Sequence, residues 1–101
     1  MFDWNMIAEY FSTPLSKITI EDCGVLIEDV ESYTYLSIVQ HSPTTFVVFD
    51  GIKSKHLRAS VNITFTEVES EWDLIDLLRE ELEILDEKLQ DKIRKAVEIC
   101  D

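Results

Sequence analysis

The side chains of this sequence that could do chemistry are mostly carboxylates. Twenty-one acids stand against nine bases, and the formal net charge of the 101 residues is −12. The two cysteines form no CxxC or Cys–His spacing, and His41 and His56 have no nucleophile or paired carboxylate at motif spacing. The acids form no calcium-binding loop, because no DxDxDG pattern ending in glutamate occurs. The sequence therefore predicts neither an enzyme nor a metal or cofactor site.

The net charge restricts the class of partner. A strongly acidic chain repels nucleic acid, whose affinity for proteins comes mainly from Lys and Arg, and it repels an anionic membrane surface. No apolar run approaches the ~18 residues that span a bilayer, and the N-terminal stretch MFDWNMIAEYF lacks the basic start of a secretory signal. We therefore expect a cytoplasmic chain with reduced thiols, monomeric or weakly dimeric, whose partner is a basic protein.

Few elements are needed to position the acids. A chain of this length, 46% hydrophobic, fits one globular domain over residues 1–101. A short helix is predicted over residues 2–11, ending before Pro14. Alternating or β-branched stretches predict strands, and Asp50-Gly51 predicts a tight turn after the second of the firmer ones. The firmer strands are 33–40, 45–49 and 57–66, and the weaker ones are 17–20 and 25–30.

From Ser70 onward the apolar residues recur at steps of three and four, which predicts a helix. Ser70 followed by Asp73 resembles a capping box. No Gly or Pro follows Ile52, so one long helix and a helix pair bent near Asp86 both remain open. The predicted fold is α+β: a short N-terminal helix, a mainly antiparallel sheet of three or more strands, and a C-terminal long helix or helix pair on one face.

Six acids fall on one arc of this helix, opposite the apolar stripe. We call them the acidic ladder: Asp73, Asp76, Glu80, Glu83, Glu87 and Asp91. Successive members are three or four residues apart, where like charges destabilise a helix by a few tenths of a kcal/mol each. Only Arg79 and Lys95 are within reach to offset them. The ladder is either a solvated face or a face that meets a basic partner, and we favour the partner because nothing within the chain offsets the repulsion.

A second acidic cluster precedes two tyrosines. Carboxylates beside tyrosines suit an interface, because Tyr adds rigid contact area, although an ordinary loop before a strand gives the same pattern. Trp72, beside the ladder, is expected in the core or at its edge, with an interface anchor as the alternative. The second set of candidate partner-binding residues is Glu28, Asp29, Glu31, Tyr33, Tyr35 and Trp72.

A small, strongly acidic α+β chain without catalytic residues resembles the immunity proteins of bacterial toxin systems, particularly those of contact-dependent growth inhibition. The resemblance is carried by the overall composition and by the segments IEDVESY and SEWDLIDLLREELEILDE. It implies that the chain neutralises a toxin, most simply a nuclease with a basic active site. In that case Asp76, Glu80, Glu83 and Glu87 would oppose Lys, Arg or His of the toxin.

Two other functions stay open. A phage-type DNA mimic would present carboxylates in place of phosphates to a host nucleic-acid-binding protein, although the weakly basic residues 41–66 count against it. A self-associating module would use Ile75, Leu78, Leu82, Leu85 and Leu89 as a coiled-coil seam, although Lys92 breaks that pattern after two heptads.

Overall fold

The structure, a computed structural model, describes residues 2–100 without the side chains of residues 99 and 100. It has the predicted α+β fold, in which a short helix precedes an antiparallel sheet and one long helix. Of the two alternatives for the C-terminal segment, the structure has the single long helix, which continues without a break past Asp86. The elements are α1 (Trp4–Phe11), β1 (Ser16–Glu21), β2 (Gly24–Asp29), β3 (Thr34–Ser42), β4 (Thr45–Lys53), β5 (Arg58–Phe65) and α2 (Glu71–Cys100).

The five strands form a meander in the order β1-β2-β3-β4-β5, and every neighbouring pair is antiparallel. The two weaker strand predictions are thus confirmed as β1 and β2. α2 packs on β5 and β4, while α1 packs on β2 and β1 and also contacts α2. Both helices therefore cover the same face of the sheet, and the core lies between them and that face.

A short polar side chain caps the N-terminus of each helix. The backbone N–H of Met6 donates to Asp3 Oδ1 at 3.3 Å at the start of α1. At α2 the N–H of Asp73 donates to Ser70 Oγ at 3.2 Å, and Asp73 Oδ2 accepts from the N–H of Glu69 at 3.2 Å. The predicted cap is confirmed, with its reciprocal bond reaching one residue further back than in a standard capping box.

Alternation along β4 decides which side chains enter the core. Phe46 and Val48 are fully buried against α2, where Leu74 and Leu78 are also fully buried. Because successive side chains of a strand point to opposite faces, the next inward position after Val48 belongs to Asp50. A charged residue type therefore lies on the apolar face of the sheet.

The predicted turn at Asp50-Gly51 is wrong. β4 runs through both residues to Lys53, and the chain reverses over Ser54 to Leu57, where the N–H of Ser54 donates to the Leu57 carbonyl at 2.9 Å. No glycine has a positive φ. Gly51 lies opposite Tyr35 of β3, and a Cβ at Gly51 would stand 2.4 Å from the Tyr35 Cζ. Gly51 is small because an aromatic ring lies over it, and not because the backbone turns there.

Candidate functional site

The acidic ladder lies on the outward side of α2. All six members, from Asp73 to Asp91, are exposed, whereas Leu78, Leu85 and Leu89 on the opposite side are buried. At 1.5 Å per residue the ladder extends over about 27 Å of helix. α2 therefore presents a continuous row of carboxylates to solvent, at the positions that the sequence predicted.

Cations offset little of this charge. Among the described side chains the one ion pair joins Lys95 Nζ to Asp91 Oδ2 at 3.1 Å, at the C-terminal end of the ladder. Lys92 Nζ instead donates to the Ser60 carbonyl at 2.8 Å. Arg79, which the sequence suggested as compensation, lies with its Cζ 5.9 Å from the centre of the Tyr10 ring. Five of the six ladder carboxylates thus have no ion-pair partner within the described part of the chain.

An aromatic pair flanks the N-terminal end of the ladder. Trp72 is 59% exposed and Tyr10 is 43% exposed, and their rings meet edge to face with centroids 6.3 Å apart. The expectation that Trp72 lies in the core or at its edge is wrong. Its position is one helical turn from Asp76, on the side of α2 that faces away from the core. A large amphipathic side chain therefore stands in solvent beside the ladder.

The second acidic cluster is divided by the pleat of the sheet. Glu28 and Tyr35 are cross-strand partners on the face opposite to the helices, while the next residue along the chain, Asp29, points to the helix face. Glu31 and Tyr33 lie in the turn between β2 and β3, where Tyr33 has φ 60° and is 58% exposed. The cluster is therefore divided between the two faces of the sheet and the turn that joins β2 to β3.

Asp29 has a structural role in that turn. Its Oδ1 accepts from the N–H of Glu31 at 2.9 Å and from the N–H of Ser32 at 3.3 Å. These backbone bonds lower the pKa of Asp29 below its ordinary value of 3.8, because they favour the charged carboxylate. Asp29 is thus held as an anion by its own turn.

A cavity that the sequence did not reveal opens between the sheet and the two helices. Its volume is about 190 Å³. Asp50 is the innermost acid, 6% exposed, and its Oδ2 has no hydrogen-bond partner among the described residues. Asp86 of α2 and Asp29 of β2 border the same cavity. The remaining lining residues are Phe11, Thr13, Ser16, Ile27, Thr34, Tyr35, Leu36 and Leu82.

Burial raises the pKa of Asp50 from its ordinary 3.8 to about 8, and the neighbouring carboxyl of Asp86 adds to the rise. Two acids beside one cavity favour a proton held between them, because both cannot be charged at low cost. Asp86 is close enough to contribute to the raised pKa of Asp50, yet no group among the described residues stands in hydrogen-bonding geometry with Asp50 Oδ2. At neutral pH Asp50 is therefore a protonated, unsatisfied acid facing a cavity.

No protein-family model, characterised protein or solved structure matches this chain. Among the described residues, no group of three or more His, Cys, Asp or Glu side chains is arranged to hold a metal ion. No helix in the described part is long and apolar enough to cross a membrane. The candidate functional features of the chain are thus the acidic ladder, the aromatic pair and the cavity.

Proposed function

We propose that this chain is an immunity protein that neutralises a basic toxin domain, of nuclease type, in the cytoplasm. The acidic ladder binds the toxin and occludes its active site. The observation that supports the proposal is the row of exposed carboxylates without ion-pair partners, about 27 Å long, beside an exposed tryptophan.

The charge of the ladder suits an inhibitor of an enzyme that holds phosphates. Such an enzyme lines its active site with Lys and Arg, and carboxylates on a rigid helix can pair with them. Complementary fields also speed encounter, above the unsteered ~10⁵–10⁶ M⁻¹s⁻¹ and increasingly so at low salt. The carboxylates of the ladder repel one another in the free protein, and a basic surface relieves this repulsion when it binds. The relief adds to the binding free energy.

Trp72 provides the large apolar contact area that the charged ladder lacks. Binding energy at interfaces concentrates in a few large side chains, with Trp, Tyr and Arg over-represented. Trp72 and Tyr10 stand together at one end of the ladder, where both can be covered by a partner that contacts Asp76. We assign the ladder to steering and register, and the aromatic pair to affinity.

The two alternatives gain no support. The seam proposed for self-association is already used inside the chain, since Ile75, Leu78, Leu85 and Leu89 are buried in its own core. A DNA mimic needs carboxylates over a long surface, whereas the cations Lys53 and Arg58 pair across β4 and β5.

The proposal is tested by protection from a toxin. A toxin gene directly upstream of this one would supply the candidate toxin domain, and cells that express that domain should grow only when this chain is co-expressed. The double reversal Glu80→Lys with Glu83→Lys should abolish protection and weaken binding of the purified toxin domain at least ~10-fold, mostly through slower association. Its unfolding free energy should stay within about 0.5 kcal/mol of the wild type, because both positions are exposed.

A matched control separates the ladder from net charge. The double reversal Glu21→Lys with Asp22→Lys changes the total charge equally, at the exposed last residue of β1 and the exposed residue that follows it. It should retain protection. Equal loss in both double variants would mean that overall charge, and not the ladder, carries binding, while unchanged affinity in the ladder variant would remove the ladder from the interface. Phage genes in place of an upstream toxin gene would favour mimicry.

A further inference from the structure

Asp50 is the single buried charged or polar residue among those that the structure describes. Buried polar atoms in folded proteins almost always have a hydrogen-bond partner, and each exception requires an explanation. Asp50 Oδ2 has none, although it is more than nine-tenths buried and borders the cavity. An apolar residue here would continue the alternation of Phe46 and Val48 at no such cost.

Every charged group that lines the cavity is an acid. Asp29 comes from β2, Asp50 from β4 and Asp86 from α2, and no Lys, Arg or His lines the cavity. Thr13, Ser16 and Thr34 also border the cavity, and their hydroxyls form hydrogen bonds within their own turns. We propose that this cavity binds an organic cation, an ammonium or guanidinium group, and that in the complex it receives the end of a lysine or arginine side chain of the basic partner. The assignment of the cavity to a side chain of the partner rests on the proposed function, whereas the cation site itself does not.

Size and ligand chemistry favour an organic cation over a metal ion. A cavity of about 190 Å³ exceeds the ~150 Å³ that admits benzene in an engineered core, so a planar guanidinium fits. Guanidinium and ammonium are pure donors, which match a lining whose charged groups are all carboxyls. Calcium needs ~6–8 converging oxygens, whereas the described residues hold no metal-binding group of three such side chains.

The cavity also lies within reach of a partner bound to the ladder. Asp86, which is exposed, borders the cavity and is three residues from Glu83. Residues at this spacing are neighbours on a helix surface. A basic partner on the ladder can therefore extend one long side chain past Asp86 towards Asp50.

Binding of a cation should release a proton. The titratable side chains that face Asp50 are Asp86 from α2 and Asp29 from β2, and the lining residues from α1 and β1 carry no charge. Tyr35 of β3 borders the cavity, but its ring lies over Gly51 on the other face of the sheet. Asp29 is already ionised through its turn, and burial keeps the pKa of Asp50 at about 8. A bound cation favours the ionised form, so affinity should rise up to ~10-fold per pH unit as pH approaches 8.

The test titrates the purified full chain with ethylguanidinium or n-butylammonium. Changes in the backbone amide NMR shifts report the binding. The shifts should concentrate at Asp50, Gly51 and Asp86, and the affinity should increase between pH 6 and 8. Asp50→Asn and Asp86→Asn should each weaken binding at least ~10-fold. The control Asp76→Asn removes the same charge from the ladder and should bind as the wild type does. Urea unfolding of each variant confirms that it is folded.

Two results would overturn the cation site. Shifts spread along α2 and equal in all variants would indicate counterions on an acidic surface. Saturable shifts with Ca²⁺ or Mg²⁺ at matched ionic strength, with none for the organic probes, would indicate a metal site. If the chain binds the probes but neither binds a toxin domain nor protects cells from one, the cation site stands and the proposed function is wrong. If Asp50→Asn and Asp86→Asn leave toxin binding unchanged, the proposed function stands, and no lysine or arginine of the partner enters the cavity.

Discussion

Replacing Asp50 with asparagine removes one proton-binding group from the core and nearly preserves its shape. In the folded protein Asp50 keeps its proton up to about pH 8, whereas in the unfolded chain it loses it near 3.8. Between these values the folded state binds one proton more than the unfolded state, so the unfolding free energy of the wild type falls as pH rises. The stabilising contribution of that proton is complete below pH 4 and is lost by pH 8.

The size of the effect follows from linkage. A difference of one bound proton changes the unfolding free energy by about 1.4 kcal/mol for each pH unit. Asp50→Asn binds no proton at this position and lacks this slope. The difference between variant and wild type should therefore grow by roughly 2–3 kcal/mol from pH 5 to pH 7 in favour of the variant. The effect is large because the residue is only 6% exposed, and water screens it little.

Urea unfolding at constant ionic strength measures this difference at pH 5, 6, 7 and 8. Contributions from the other acids cancel when the variant is compared with the wild type at each pH, and unchanged m-values would show that the unfolded states are comparable. Asp86→Asn removes the carboxyl that helps to raise the pKa of Asp50, so the fall in stability should end at a lower pH. Asp76→Asn, on the exposed ladder, should keep the wild-type slope. A difference for Asp50→Asn that does not change with pH would refute the reasoning, because Asp50 would then titrate alike in both states.

Further substitutions test the packing and the helix ends. Gly24→Ala should cost about 1–3 kcal/mol, because its Cβ would stand 2.3 Å from a carbonyl oxygen of β3, and thermal unfolding measures this. Gly51→Ala should cost less, since its Cβ meets the ring of Tyr35, which can turn away, and adding Tyr35→Ala should recover part of the loss. Ser70→Ala should cost ~1 kcal/mol in urea unfolding through loss of the α2 cap. Trp72→Ala should change stability by less than about 1 kcal/mol while weakening toxin binding by ~2 kcal/mol or more in calorimetry.

Local patterns predicted most of the fold because the apolar positions follow one period within each element. β5 alternates over its whole length, and α2 keeps its three- and four-residue steps from Leu74 to Leu89. The ladder followed from the same period, since residues on the arc opposite the apolar stripe of an amphipathic helix face outward together. Continuity of α2 past Asp86 could not be predicted, because an exposed acid at that position fits both a helix interior and a bend.

The Asp50 cavity was missed because two sequence signals conflict at the same dipeptide. Asp-Gly is a strong hairpin signal, whereas alternation from Phe46 and Val48 places Asp50 on the buried face of the sheet. The long-range contact decided the outcome: the ring of Tyr35 lies over Gly51, and β3 thereby holds β4 extended through Lys53. Cross-strand partners are not visible in a local pattern. Alternation given priority over the turn signal would have identified a buried acid.

Both unusual features of this chain belong to the free protein and act in the same direction. The ladder keeps like charges adjacent on α2, and the cavity keeps the unsatisfied acid Asp50 beside Asp86, so each lowers the stability of the chain alone. One change of environment relieves both, namely the arrival of positive charge along α2. The coupling has a measurable consequence: a basic partner should stabilise the folded chain more at pH 8 than at pH 6, because ionised Asp50 attracts a cation more strongly than protonated Asp50 does. Equal stabilisation at both values would mean that the partner binds the ladder and leaves the cavity empty.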